Sequence, residues 1–197
     1  MGTSPPRRAA VSRKTKETDL KLELALSSGP VAIPKGFPGF FGHMLNTLAT
    51  YAGWSLAIEG RGDLEVDAHH LVEDVGLVLG EALEASLGDF SGHARFGKAL
   101  VPMDEALAEA ALDAGHRPYL RLEAAWPQPT TGDFELCLVE EFFRALVQKA
   151  GFTLHLIGRH GQNSHHLCEA MFKAAGLAAR EALAERGGGV FSTKGVL

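Results

Sequence analysis

Two short stretches of the chain carry the same set of side chains able to bind a metal. "DAHHLVED" (67–74) and "NSHHLCEA" (163–170) both read His-His-x-x-Glu, and the two copies stand 96 residues apart. On a helix, His69 and Glu73 are four residues apart and share a face, as do His165 and Glu169. An imidazole and a carboxylate so placed can chelate one divalent cation. The adjacent His70 and His166 project about 100° further round the helix, so they are expected to serve a different ion. Two more histidines suit the same use: His43 in "GFFGHML", beginning a predicted helix, and His155 in the predicted strand "FTLHLIG". Six imidazoles and two carboxylates divide evenly into three imidazoles and one carboxylate per metal. A nitrogen-rich mixed set of this kind suits Mn, Fe, Zn, Ni or Co better than Mg or Ca. A single His-x-x-x-Glu pair on a helix is ordinarily a solvated surface pair, but two copies in matching contexts weigh against that. Cys168 lies inside the second copy, yet Val72 holds the same place in the first, so the thiol reads as core. His93, His116 and His160 show no comparable arrangement and read as surface or loop residues.

The flanks of the two doublets also match. "AGWSLAIEGRGDLEVDAHHLVEDVGLVLGEAL" and "AGFTLHLIGRHGQNSHHLCEAMFKAAGLAAREAL" each run through Ala-Gly-aromatic, an alternating strand, a Gly-containing turn, the doublet and an amphipathic helix. A further helical stretch precedes each: "FGHMLNTLATYAG" and "LCLVEEFFRALVQKAG". This is the pattern of an internal duplication. Asp67 and Asn163 are suited to cap the two doublet helices. Residues 18–26 and 118–125 alternate with period two and predict the strands that open each half. The segment "VPMDEALAEAALDAG" admits either strand or helix. Each half therefore reads strand, strand, helix, strand, helix: an α+β fold with helices packed on one face of a sheet. The predicted divisions are a flexible arm (1–12), a first half (13–97), a second half (98–185) and a Gly-rich tail (186–197).

The remaining features narrow the function by exclusion. A formal net charge of −5 gives no nucleic-acid footprint. The early basic residues (Arg7, Arg8, Arg13, Lys14, Lys16) are interrupted by Glu17 and Asp19, and read as a local anion site or a solvated arm. No apolar run reaches the ~18–20 residues that cross a bilayer, and "MGTSPPRR" lacks the apolar core of a signal peptide. Two cysteines cannot build a disulfide framework, so the cytoplasm is the simplest expected location. The chain contains no His-Glu-x-x-His, so a zincin-type protease is not indicated.

With these motifs in view, the chain resembles the imidazoleglycerol-phosphate dehydratases, enzymes of histidine biosynthesis that convert imidazole glycerol phosphate to imidazole acetol phosphate and water. The resemblance is carried by Arg13-x-Thr15-x-Glu17-Thr18, "GDLEVDAHHLVEDVGLVLGEAL", "RFG", "PMDEAL", "RPY", "EFF", "TLH", "NSHHLCEAMFKA" and "STKGVL". It implies two internally duplicated split β-α-β halves of ferredoxin-like type. It implies two Mn2+ ions per active site, with His43, His69, His70, Glu73, His155, His165, His166 and Glu169 as the ligand set. It further implies phosphate binding by Arg95, Arg117, Ser192 and Lys194, and places Glu17 near the substrate hydroxyls. Glu17 and Glu169 are the candidates for proton transfer, with their roles undivided. The implied assembly is a homo-oligomeric 24-subunit shell with active sites between subunits, and the implied partner is a small phosphorylated imidazole. The chain departs from the family pattern at Gly42, where an Asp usually precedes the helix histidine, at Thr47 in place of Gln, at Ala68 in place of an acid, and in the divergent loop 27–39.

Overall fold

Alternation decides the strands. Thr18, Leu20, Leu22 and Leu24 turn inward along "TDLKLELA" and are almost fully buried, while the residues between them face solvent or lie half-buried. The structure, a computed structural model, describes residues 7–195. Its first half comprises β1 (Arg8–Lys14), β2 (Thr18–Ala25), β3 (Val31–Ala32), α1 (Gly39–Ala52), β4 (Ser55–Gly62) and α2 (His69–Leu87). The second comprises β5 (Phe96–Met103), β6 (Ala106–Asp113), β7 (Tyr119–Glu123), a small hairpin of β8 (Thr130–Thr131) and β9 (Phe134–Glu135), α3 (Leu138–Ala150), β10 (Thr153–His160) and α4 (Ser164–Ala182). The sheet orders are β1-β2-β4-β3 and β5-β6-β10-β7. In each sheet the last pair is parallel and the others antiparallel. The duplication read from the doublets is therefore a duplication of the whole split β-α-β topology.

One open reading is decided and three local expectations need correction. The ambiguous segment is the β5–β6 hairpin, turned at Asp104 with φ 48°. Its alanines favour helix intrinsically, but antiparallel pairing to β5 and β10 on either side makes it a central strand. Residues 118–125 do contain a strand, but β7 is the counterpart of the edge strand β3 and does not open the second half; β5 and β6 do. The expected arm is also shorter: residues 8–12 belong to β1, whose Ala9, Val11 and Arg13 turn toward α2, while residues 1–6 lie outside the described residues. Small and charged side chains hide the period of that strand. Likewise Phe96 and Gly97 lie within β5, so the second half begins before residue 98.

The helices form the middle of the molecule. α2 lies on β1 and β2, and α4 on β5 and β6; their other faces meet the helices of the opposite half, α2 against α3 and α4 against α1. Glycines permit both crossings. A Cβ at Gly176 would lie 2.7 Å from the Leu48 carbonyl oxygen, and one at Gly80 would overlap the Leu146 carbonyl and sit 2.7 Å from the Lys149 Cβ. Gly80 and Gly176 occupy equivalent places, 96 residues apart like the doublets. The halves share one core, in which Phe41 stacks on Phe134 at 5.4 Å and Phe143 meets Phe172 at 4.9 Å. Among the described residues no helix is long and apolar enough to cross a membrane.

Candidate functional site

The α4–α1 crossing builds the first cluster. Asn163 caps α4, its side chain accepting the His165 N–H at 2.9 Å. His165 and Glu169 then stand one turn apart, and α1 brings His43 beside them. Both His43 Nε2 and His165 Nε2 lie 3.2 Å from Glu169 Oε2. This is the one group among the described residues whose three or more candidate ligand atoms lie within 4.8 Å of one another. Donor atoms around an ion at about 2.1 Å are separated by about 3.0–3.4 Å, so the spacing fits a small divalent cation. Phe40 sets its ring edge against both imidazoles, at 6.4 Å from His43 and 5.0 Å from His165. Lys173, which the sequence reading passed over, reaches Glu169 Oε1 at 2.9 Å from one turn further along α4. Burial pushes the Glu169 carboxyl up, but Lys173 and His43 outweigh it, and the net shift is downward. Four-residue spacing from Glu169 was the available signal for Lys173.

The second histidine of each doublet does face elsewhere. The rings of His165 and His166 stand at 83° and those of His69 and His70 at 87°. His166 Nδ1 is 2.8 Å from Glu105 Oε2, and His70 Nδ1 is 3.0 Å from Asp63 Oδ2. These carboxylate hydrogen bonds raise both imidazoles above their ordinary pKa. Glu105 is in turn held down to about 2 by His166 and by the amides of Asn163 and Gln162. An imidazole whose Nδ1–H is tied to a carboxylate presents Nε2 as its free donor atom, the usual support for a metal-ligating histidine. Asp63 and Glu105 escaped the sequence reading because they come from turns, Glu105 standing 61 residues from its histidine.

Around the first doublet, Asp67 accepts the His69 N–H at 2.7 Å although Ala68 is the residue flanking α2. Glu73 is half-buried on the same helix. Glu17 sits in the β1–β2 turn, 3.9 Å from His70 Nε2. That turn is anchored from below: the buried Asp74 accepts from Arg13 Nε at 2.6 Å and from the Thr18 hydroxyl, while Thr15 Oγ1 takes the amides of Glu17 and Thr18.

Arg95, Arg117, Ser192 and Lys194 line a single cleft of about 870 Å³, together with Arg186 and the Gly-rich tail. Arg95 is held with φ 74° by its amide's bond to the Ala182 carbonyl. Its guanidinium donates twice to Asp113, at 2.7 and 3.1 Å, and once to the Phe191 carbonyl at 2.9 Å. Hydrogen bonding to Asp113 raises its pKa, so it stays charged. Arg186 stacks 3.9 Å over the Phe191 ring. These contacts hold the tail across the cleft, with four cations against the one carboxylate of Asp113. His155 lies at the same end of the molecule, in a groove shared with Phe96, Asp113 and Thr153.

The eight candidate ligands therefore do not converge within one chain. His43, His165 and Glu169 meet; His166 turns to Glu105, His155 lies by the cleft, and His69, His70 and Glu73 stand at the start of α2. Cys168 is fully buried and its thiol pushed up by burial and Glu169, as expected of core. His93 corrects the surface reading: it is 3 % exposed, with Nε2 bonded to the Ala114 carbonyl at 3.1 Å. His116 and His160 are exposed.

An imidazole–carboxylate cluster and a cationic cleft on one duplicated α+β scaffold define the class as an enzyme of small anionic molecules. Residues 38–179 match the family described as imidazoleglycerol-phosphate dehydratase. A protein of that name from Anaeromyxobacter sp. (strain K) is 48% identical over 193 residues, covering 97% of this chain and 92% of the relative. One from Streptococcus sanguinis is 50% identical over 194 residues, covering 97% and 100%. The crystal structure of imidazoleglycerol-phosphate dehydratase from Staphylococcus aureus superposes with a TM-score of 0.82 at 37% identity, covering 90% of this chain and 99% of that one. The chain belongs to the imidazoleglycerol-phosphate dehydratase family, and so to the hydro-lyases.

Proposed function

We propose that the protein removes water from imidazoleglycerol phosphate to give imidazole acetol phosphate, a step of histidine biosynthesis, with divalent metals of the Mn2+ type held at sites completed between copies of the chain. The carrying observation is a distance. Arg95 is tied to Ala182 at the last residue of α4, whereas His165 is the second residue of that helix. At 1.5 Å per residue these points are about 25 Å apart. A three-carbon phosphate joined to an imidazole spans about 9 Å at ordinary bond lengths. One substrate therefore cannot use the cleft and the His43–His165–Glu169 cluster of the same chain, and a second copy must supply one of them. The separate placement of His155, beside the cleft, supports the same sharing. The 24-subunit shell implied by the resemblance is an assembly that would provide such junctions.

Arg95, Arg117 and Lys194 bind the phosphate through charge-assisted contacts, with the Ser192 hydroxyl as a further donor. The tail held by Arg95 and Arg186 forms one wall of the cleft. His43, His69, His70, Glu73, His155, His165, His166 and Glu169, drawn from more than one copy, are the residues that would hold the ions, which when bound would supply Lewis acidity and fix the imidazole ring. Glu17, half-exposed beside His70, and Glu169, kept ionised by Lys173, are the two carboxylates placed to move protons at the leaving hydroxyl and the neighbouring carbon. Chelator-stripped protein should form no imidazole acetol phosphate and should recover on adding about two Mn2+ per chain. Full activity in the metal-free protein would refute the metal reading.

A further inference from the structure

α1 carries His43 but begins without a cap of its own. Pro38 flanks it and offers no side-chain acceptor. The cap comes from the other half of the chain: Asp133, at the turn of the β8–β9 hairpin, accepts the Gly39 N–H at 2.9 Å and the Phe40 N–H at 3.4 Å. Gly132, with φ 59°, allows the turn that presents it. The next residue, Phe134, is buried beneath α1, stacked on Phe41 and 6.1 Å from Phe40. The base of the same hairpin clasps the other helix of the cluster. Ser164, fully buried and adjacent to His165, donates its amide to Gln128 Oε1 at 2.8 Å. Its hydroxyl accepts the Gln128 amide at 2.8 Å and donates to the Gln128 carbonyl at 2.9 Å.

We propose that residues 128–134 form a brace that fixes the spacing of His43 from His165 and Glu169, with Asp133 and Gln128 as its positioning residues. The hairpin grips the N-terminal ends of α1 and α4 together, within two turns of all three ligand residues: His43 is the fifth residue of α1, and His165 and Glu169 are the second and sixth of α4. Close packing between α1 and α4 lies further along, at Gly176, so the start of α1 is held to the hairpin instead, by Phe134 against Phe41 and by Asp133 at its first amides. Loosening of that start would let His43 shift and lower the fraction of chains competent to bind an ion, weakening apparent affinity by that fraction.

The consequence for metal binding rests on the metal reading above, so the test has an arm that does not. Mn2+ affinity of the stripped full chain is measured by electron paramagnetic resonance of free Mn2+, well below the melting temperature. Hydrogen exchange of peptide 37–45 is followed in the same metal-free protein. Asp133→Ala should weaken Mn2+ binding and speed exchange of that peptide, each about fivefold, the factor equivalent to about 1 kcal/mol for a lost cap. Asp133→Asn keeps an acceptor oxygen and should restore both. Gln128→Ala should speed exchange at the start of α4. In a His43→Ala background, Asp133→Ala should weaken Mn2+ binding no further. Unchanged exchange in Asp133→Ala overturns the brace. So does a lower melting temperature with unchanged Mn2+ affinity, or a loss of affinity that persists without His43. Wild-type protein that binds no Mn2+, with peptide 37–45 still loosened by Asp133→Ala, would refute the metal reading while supporting the brace.

Discussion

Replacing the two equivalent glycines by alanine should separate stability from site geometry. At Gly176 a Cβ would stand 2.7 Å from the Leu48 carbonyl oxygen, about 0.6 Å inside the closest comfortable C···O approach. At Gly80 it would stand 2.7 Å from the Lys149 Cβ as well as overlapping the Leu146 carbonyl, about 0.8 Å inside carbon–carbon contact. Both neighbours belong to helices, so neither can rotate away, and the crossing must open. Overpacking of this kind costs about 1–3 kcal/mol, against a gain of about 1 kcal/mol from replacing glycine within a helix. The net loss of up to about 2 kcal/mol should lower the melting temperature by up to about 4–8 °C in a chain of this size. Only Gly176 lies on the α4–α1 crossing that brings His43 to His165. Gly176→Ala should therefore weaken Mn2+ binding as well, while Gly80→Ala should leave the affinity of that cluster unchanged. Calorimetry and Mn2+ titration of both variants decide it. A Gly80→Ala protein more stable than wild type would show that helix propensity wins and that the crossings are looser than described. Equal losses of Mn2+ affinity in both would refute the assignment of the cluster to the α4–α1 contact.

Three further outcomes follow from named contacts. Lys194→Met should raise KM about tenfold or more with little change in kcat, because it removes a charged contact made to the phosphate in ground and transition states alike; steady-state kinetics checks this. Asp74→Asn should lower kcat more than it raises KM, since the turn holding Glu17 loses its ionic anchor to Arg13, and about tenfold is expected for a proton-transfer group displaced by a fraction of an ångström. His93 gives a pH effect with a definite sign. Burial is the largest influence on its imidazole and lowers its pKa from 6.5, so the folded protein resists a proton that the unfolded chain accepts. Its contribution to stability is full above pH 6.5 and is lost as the pH falls from there through the lowered folded-state value. Between pH 7.5 and 5.5 the melting temperature of wild type should therefore fall more than that of His93→Gln.

Much of the site was legible because the duplication kept its spacing. The offset of 96 relates His69 to His165, Glu73 to Glu169 and Gly80 to Gly176, so one half could be read against the other. The four residues that the resemblance assigned to phosphate, far apart in sequence, line one cleft: Arg95 and Arg117 flank Asp113, and the Arg95 guanidinium captures the tail at Phe191. Contacts between distant turns were not legible. Glu105 meets His166, and Asp133 caps α1, through a chain path that no local pattern encodes. β1 and β6 were obscured for a different reason: short and charged side chains leave little hydrophobic period, and sheet partners override the helix preference of alanine. The sequence also could not show that the cleft and the His43–His165–Glu169 cluster stand at opposite ends of α4.

That separation is the central claim, and subunit complementation tests it most directly. Arg95→Ala disables the cleft and His165→Ala disables the cluster, and each alone should be inactive. Co-expressed in equal amounts with different tags, the two chains should form mixed assemblies in which about a quarter of the sites join an intact cleft to an intact cluster from another copy. Mixed assemblies isolated through both tags should recover about that fraction of wild-type imidazole acetol phosphate formation. If the mixed assemblies form and remain as inactive as either parent, each active site is contained within one chain and the account is wrong.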